Sequence, residues 1–307
     1  MSTADDNVSI CANCGKGEEG DDIKKLKACT ACKLVKYCSR ECQIAHRPQH
    51  KKECRKRAAE LHDIELFKQP PYQEDCPICF LRIPFLNTGW RYQTCCGTVI
   101  CSGCSYSPVY DNQGNEVDNQ KCAFCRVPVP KTDSEEELER MKKRVEAGDP
   151  IANYDLGCAY RDGARGLPQD YTKSLKLFHQ AAELGYSEAY VCIGFAHSNG
   201  RGVENKKKAE HYYELAAKGG NVSARYNLGI REMKTGNMDR ALKHFMIAAG
   251  SGDSDCLNCI KDFYSNGHGV TKEDYMKALK LYQVYLGEIK SDQRDKAAAA
   301  DEENRYY

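Results

Sequence analysis

No apolar run in this 307-residue chain approaches the roughly 18 residues that a membrane-spanning helix needs. The mean hydropathy of −0.68 agrees, and a transmembrane helix is excluded. The opening residues, MSTADDNVSICANC, lack the basic stretch and the apolar stretch of a secretory leader, so a secreted chain is not expected. Charge of one sign is missing too: 45 Lys and Arg against 44 Asp and Glu leave +1. That balance argues against a generally basic nucleic-acid binder and against an acidic disordered chain. Tryptophan occurs once, at Trp90. Cysteine is what the chain has in excess. Of its 19 cysteines, 15 lie in residues 1–126. An odd count without a leader makes a disulfide framework unexpected. Clustered cysteine in a reducing compartment, cytoplasmic or nuclear, points to metal.

The first cluster is Cys11-x2-Cys14, Cys29-x2-Cys32, Cys38-x3-Cys42 and His50-x3-Cys54. Four pairs supply eight ligands, the complement of two tetrahedral sites, and soft thiolate favours Zn2+. The x3 spacings suit a helical turn, where i and i+4 share a face. So short a segment cannot bury enough core to fold alone, whereas structural zinc contributes about 10–16 kcal/mol per site. Spacing alone leaves open whether the pairs close in sequence or interleave. Tyr37-Cys38, x3-Cys42-x7-His50-x3-Cys54 resembles a MYND zinc finger, over residues 11–54. The resemblance implies interleaving, with Cys11, Cys14, Cys38 and Cys42 on one zinc and Cys29, Cys32, His50 and Cys54 on the other. His46 is an alternative to His50, with poorer spacing to Cys54. Members of the family dock proline-containing peptides, but Arg47 stands where many carry tryptophan. The basic run from His50 to Arg57 reads as a solvated helix face, because no aromatics interleave for stacking, and nucleic acid is not an expected partner. In a charged, helical run from Arg55 to Lys68, Leu61, Ile64 and Phe67 recur as a stripe at near-helical spacing, until Gln69-Pro70-Pro71 breaks it.

A second cluster gives eight more ligands: Cys76-x2-Cys79, Cys95-Cys96, Cys101-x2-Cys104 and Cys122-x2-Cys125. It resembles a RING finger of the all-cysteine type over residues 76–126, with Cys96 where most members carry histidine. The family's cross-brace implies Cys76, Cys79, Cys101 and Cys104 on one zinc, and Cys95, Cys96, Cys122 and Cys125 on the other. Adjacent Cys95 and Cys96 demand a strained backbone that Gly97 can relieve. By the same resemblance, Ile78 matches a contact to a ubiquitin-conjugating enzyme and Arg126 matches a cation bracing ubiquitin. Such ligases act by positioning and supply no nucleophile. Against activity, Ala123 stands where proline is common. Pro108 and Asp111-Asn112-Gln113-Gly114 leave the central helix short or absent. Trp90 reads as core packing.

After Pro128-Val129-Pro130 the sequence becomes helical and repetitive. Ser134 with Glu137 reads as a capping box opening a helix whose stripe is Leu138, Met141 and Val145. Ala181-Ala182-x2-Gly185 recurs as Ala216-Ala217-x2-Gly220 and Ala248-Ala249-x2-Gly252, and a fourth copy starts at Lys277-Ala278-Leu279. Preceding helices align on Ala152, Ala189, Ala224 and Cys256, spaced 37, 35 and 32 residues apart. Asn199-Gly200-Arg201-Gly202-Val203 and Asn266-Gly267-His268-Gly269-Val270 supply turns. Each unit is a helix pair that buries its apolar face only by stacking. The pattern resembles Sel-one-like repeats, relatives of the tetratricopeptide repeat, which implies a curved surface for protein partners. Cys158, Cys192 and Cys256-x2-Cys259 read as packing.

The expected architecture is two small zinc-stabilised modules, then an all-α helix-pair solenoid over 134–290, with flexible tails at 1–10 and 296–307. Four zinc ions are expected. The leading expectation is a protein–protein interaction adaptor with no membrane partner. Rival readings are a RING-type ubiquitin ligase that uses the repeats to choose substrate, and a MYND-linked transcriptional regulator.

Overall fold

A computed structural model describes residues 10–17, 25–71, 74–85, 87–107, 109–110, 113, 116–117, 121–198 and 205–306. The chain divides into two compact units, Met1–Lys68 and Gln69–Tyr307.

In the first unit, strands β1 (Lys27–Ala28) and β2 (Lys36–Tyr37) pair antiparallel ahead of the long helix α1 (Arg40–Leu66). Ser39 caps α1 by accepting from the Cys42 amide. Among the described residues its core cluster is almost without aliphatics, the buried members being Leu26, Tyr37 and cysteines. Leu66 is the buried apolar residue near the end of α1, whereas Ile64 is 63% exposed, so the expected stripe is displaced.

The second unit opens with the second cysteine module. Its hairpin is β3 (Trp90–Gln93) and β4 (Thr98–Cys101), registered Trp90 to Cys101 and Gln93 to Thr98. A five-residue helix α2 (Ser102–Tyr106) follows, then the strand pair β5 (Val109–Tyr110) and β6 (Glu116–Val117). Trp90 packs on the module's core. Pro108, Asp111, Asn112 and Gly114 lie outside the described residues.

Helix α3 (Glu135–Glu146) is capped by Ser134, whose hydroxyl accepts from the Glu137 amide. The reciprocal bond differs from expectation: Glu137 accepts from the amide of Asp133, which precedes the cap. Four helix pairs follow: α4 (Pro150–Asp162) with α5 (Tyr171–Glu183), α6 (Ser187–Ser198) with α7 (Lys206–Lys218), α8 (Val222–Lys234) with α9 (Met238–Ala249), and α10 (Ser254–Ser265) with α11 (Lys272–Ile289). The repeat signature has two physical causes. Gly185, Gly220 and Gly252 take φ of +92°, +90° and +99°, which L side chains resist. Gly157 and Gly229 sit under Phe178 and Phe245, where an added Cβ would lie 2.8 and 2.5 Å from ring carbons. The alanine pairs before each turn are buried, and Cys256 is fully buried in the same core. The first glycine turn, residues 199–203, lies outside the described residues.

The expected loose tail at 296–307 is overturned. Helix α12 (Asp292–Ala300) and a 3-10 turn at Glu302–Asn304 end the described chain, with Arg294, Ala297, Asn304 and Tyr306 buried. Polar composition suggested a tail, but these residues cover the cysteine module. Ser102 donates to the carbonyl of Asn304 at 3.1 Å, and Arg91 donates to its side chain at 3.3 Å. The module also reaches the repeats elsewhere: Tyr92 donates to Asp149 at 2.7 Å, and the Phe85 amide donates to the Tyr285 hydroxyl at 2.8 Å. Module and repeats therefore form one unit.

Candidate metal centres and docking grooves

Three of the four clusters' opening knuckles, and the last, share one backbone design. In Cys11-x2-Cys14, Cys29-x2-Cys32, Cys76-x2-Cys79 and Cys122-x2-Cys125, the residue after the second cysteine donates its amide to the first cysteine's carbonyl at 2.8–2.9 Å. That residue turns left-handed: Gly15 (φ +71°), Lys33 (+56°), Phe80 (+57°) and Arg126 (+63°). The first cysteine's amide then donates to a carbonyl on the returning strand, that of Lys16, Val35, Leu81 or Val127. This turn aims both sulfurs inward. Three of the four pay about 1 kcal/mol of backbone strain, because only the first uses glycine. Sequence spacing gave the knuckles but not this shared turn, since non-glycine residues hide it.

The structure assembles four sets whose ligand atoms all lie within 4.8 Å of one another. They are Cys11, Cys14, Cys38 and Cys42; Cys29, Cys32, His50 and Cys54; Cys76, Cys79, Cys101 and Cys104; and Cys95, Cys96, Cys122 and Cys125. Each is interleaved. Cys14 and Cys38 sulfurs are 3.6 Å apart, Cys29 and Cys54 3.8 Å, Cys79 and Cys101 3.8 Å, and Cys96 and Cys122 4.0 Å. Tetrahedral zinc with Zn–S near 2.3 Å would place sulfurs about 3.8 Å apart, so the donors fit the ion. His50 Nε2 lies 3.1 Å from Cys32 Sγ, while His46 stacks on His50 and meets the Tyr37 hydroxyl at 3.1 Å. His50 joins the set and His46 stands behind it. Adjacent Cys95 and Cys96 sit in the β3–β4 turn, with Gly97 at φ +72° closing it.

Electrostatics favour a cation in the two sets of the first unit. Hydrogen bonds with Cys14 and Cys42 push the Cys38 thiol up to about 12, and burial followed by Cys32 and Cys29 pushes Cys54 up to about 11. Against the effect of burial, backbone hydrogen bonds lower Cys11 and Cys29 in the same sets to about 6, so thiol and thiolate share each set, and a dication is what allows all the sulfurs to be thiolates at once. The protein binds zinc through its cysteine-rich N-terminal part.

Two grooves stand out, one bordering the Cys29/Cys32/His50/Cys54 centre and one on the repeats. One, of about 590 Å3, runs along α1 and is lined by Tyr37, Arg40, Ile44, Arg47, Lys51 and Arg55. Arg47 thus stands in it and is exposed. The other, of about 400 Å3, lies on the repeats and includes Tyr171, Leu175, Phe178, Val191, Phe195 and Tyr213. Ile78 is 38% exposed and Arg126 is exposed on its knuckle. No described helix is long and apolar enough to cross a membrane.

Zinc-binding cysteine-rich modules followed by a helical solenoid of Sel1 repeats define the class. Residues 11–54 match the MYND finger family, and residues 150–186, 187–221 and 262–283 match the Sel1 repeat family. The α8–α9 pair between them repeats the same geometry. Among curated proteins, the chain is 31% identical over 114 residues to an ERAD-associated E3 ubiquitin-protein ligase component HRD3B of Arabidopsis thaliana, covering 36% of this chain and 18% of that protein. It is 30% identical over 144 residues to Chitin synthase regulatory factor 1 of Schizosaccharomyces pombe, covering 44% and 31%. The chain thus spans under a third of either relative's length. Among solved structures, a Sel1 repeat protein from Oxalobacter formigenes is 26% identical with a TM-score of 0.42, covering 54% of this chain and 70% of that one.

Proposed function

We propose that this protein is a zinc-dependent adaptor whose repeats hold one protein partner while its cysteine modules engage others. The observation that carries this reading is the repeat groove, in which Tyr171 (38% exposed) and Phe195 (48%) stand half in water beside Leu175, Phe178 and Val191. Scattered apolar residues on a surface are ordinary, but a lined groove with aromatic anchors has the make-up of a binding site. The two curated relatives support an accessory role, one being called a component and the other a regulatory factor. The four sets of ligands named above would each hold one zinc and shape the docking surfaces, with no bond-making step of their own. At the α1 groove, Arg40, Arg47, Lys51 and Arg55 suit a partner segment carrying carboxylates. Thiol-based zinc centres suit a reducing compartment, the cytoplasm or the nucleus.

Affinity capture with the full chain tests the reading. The Tyr171→Ala/Phe195→Ala variant should lose its specific partner about tenfold, with zinc content and helicity unchanged. An identical set of captured proteins at equal yield would remove the groove from the account.

A second reading, a RING-type ubiquitin ligase, is favoured by the exposure of Ile78 and Arg126. Weighing against it, α12 already covers the buried face of the short helix α2. Autoubiquitination with a panel of conjugating enzymes separates the two. Activity abolished by Ile78→Ala and Arg126→Ala would favour the ligase, and silence across the panel would sink it.

A further inference from the structure

We infer that Arg294 is a positioning residue of the Cys76/Cys79/Cys101/Cys104 zinc centre, a cation delivered by the C-terminal helix α12 to a buried four-thiolate site. Four thiolates around one Zn2+ leave a formal charge of −2. In water that surplus costs little, but Cys76, Cys101 and Cys104 are 0%, 1% and 4% exposed. Buried charge needs a partner. Arg294 is itself 0% exposed, and its Nη2 lies 3.8 Å from Cys79 Sγ. Both terminal nitrogens are also held by backbone carbonyls. Nη1 donates to Arg82 at 2.9 Å and to Ile289 at 2.7 Å, and Nη2 donates to Leu81 at 3.3 Å. Leu81 and Arg82 follow the Cys76–Phe80 knuckle directly, so one side chain grips both the knuckle's exit strand and its sulfur. Lysine could bring the charge but not this fork.

The sequence makes room for the contact. A Cβ on Gly103, between the ligands Cys101 and Cys104, would lie 2.8 Å from Arg294 Cγ and 2.9 Å from its backbone nitrogen. Neighbouring Gln293 places Oε1 3.8 Å from Cys104 Sγ. The other four-cysteine sites provide contrast. In the first unit Cys14 is exposed and Cys38 and Cys42 are half-buried, so water can offset the charge. At the Cys95/Cys96/Cys122/Cys125 set, Arg144 of α3 donates to the Cys96 carbonyl at 2.6 Å, to backbone and not to sulfur. At the Cys76/Cys79/Cys101/Cys104 site an arginine approaches a ligand sulfur directly. Groups that hold a metal's ligands in this way change affinity by about 10–100-fold when removed.

The inference rests on zinc occupying this set, and the test keeps the two apart. The whole chain, as wild type, Arg294→Gln and Arg294→Lys, is loaded with zinc and titrated with EDTA. Zinc per chain is read by elemental analysis, and cysteine alkylation by N-ethylmaleimide is mapped by mass spectrometry. Wild type well below four zinc per chain, with Cys76–Cys104 alkylated from the start, would overturn the occupancy reading. With wild type fully loaded, Arg294→Gln should release one zinc at about 10–100-fold less chelator. Cys76, Cys79, Cys101 and Cys104 should then be alkylated while the other sets stay protected and helicity holds. Arg294→Lys should fall between. Wild-type retention and alkylation order in Arg294→Gln would overturn the inference, as would simultaneous loss from all sets, which marks general unfolding. Should Arg294→Gln fail to fold, Arg294→Lys decides: earlier alkylation at Cys79 supports the role, and unchanged alkylation refutes it.

Discussion

Single residues in this chain carry costs that composition does not reveal. Asp155 of α4 is half-buried, and its surroundings push its carboxyl up to about 6: burial is the main cause, opposed by Arg165 and reinforced by Glu137 and Asp149. Between about pH 4 and pH 6 the folded state therefore holds more protons than the unfolded chain, so stability falls as pH rises through that window and stays lower above it. Asp155→Asn removes the charge and keeps the shape. It should stabilise the second unit by about 2 kcal/mol at pH 7.5, a margin that shrinks as pH is lowered towards 4. Thermal melts of variant and wild type across that range read the difference, in which shared metal chemistry cancels. A constant margin would show that the carboxylate is not the cause. Buried arginines are the other concealed feature: Arg225 and Arg294 are 1% and 0% exposed, although arginine in a helix normally reads as surface.

Among the secondary-structure elements, the helix starts follow one rule, of which only the Ser134 cap of α3 was read from the sequence. Asp149, Asp170, Asn205, Asn221 and Asp253 cap α4, α5, α7, α8 and α10, as short polar side chains do. Asp149 does more than cap. It accepts from the amides of Ile151 and Ala152 at 3.0 and 3.2 Å, from the Tyr92 hydroxyl at 2.7 Å, and pairs with Arg144 at 3.2 Å. One carboxylate therefore starts the first repeat and ties it to the cysteine module. Asp149→Ala should cost about 2–3 kcal/mol, more than the ~1 kcal/mol of an ordinary cap, and Tyr92→Phe should recover part of that excess as a separate loss. Denaturant melts of both single variants and the double variant give the coupling. Additive losses would mean that cap and tie act independently. The C-terminal element was misread for a physical reason: α12 is rich in alanine and charge, with no apolar stripe, and its burial comes from the module above it.

For the whole molecule, the boundary between the two units falls at Lys68/Gln69, not between the cysteine-rich half and the repeats. Composition drew the line near residue 130, where the chemistry of the sequence changes. Packing drew it at the Gln69-Pro70-Pro71 break, because Phe85, Tyr92, Arg91 and Ser102 bond to residues far along the chain. Chelation should therefore unfold the first unit outright and also lower the melting temperature of the repeat helices, by several degrees or more. Circular dichroism at 222 nm with and without EDTA measures this. Repeat helices that melt at the same temperature after complete zinc removal would mean that the module contributes nothing to the repeats' stability.

What the sequence determined by itself is whatever depends on local chemistry: eight ligands in each half of the cysteine-rich region, the Ser134 cap, and the glycines and alanines that set the repeat. Ligand identity follows from donor type and spacing, and a repeat is visible because it recurs. The tertiary structure alone decided which surfaces the cysteine module covers, that the C-terminal residues belong to it, and that Arg294 meets a cysteine sulfur. Those contacts join positions some 200 residues apart through single side-chain bonds. Such bonds have no period and no fixed spacing, so nothing along the chain announces them before it folds.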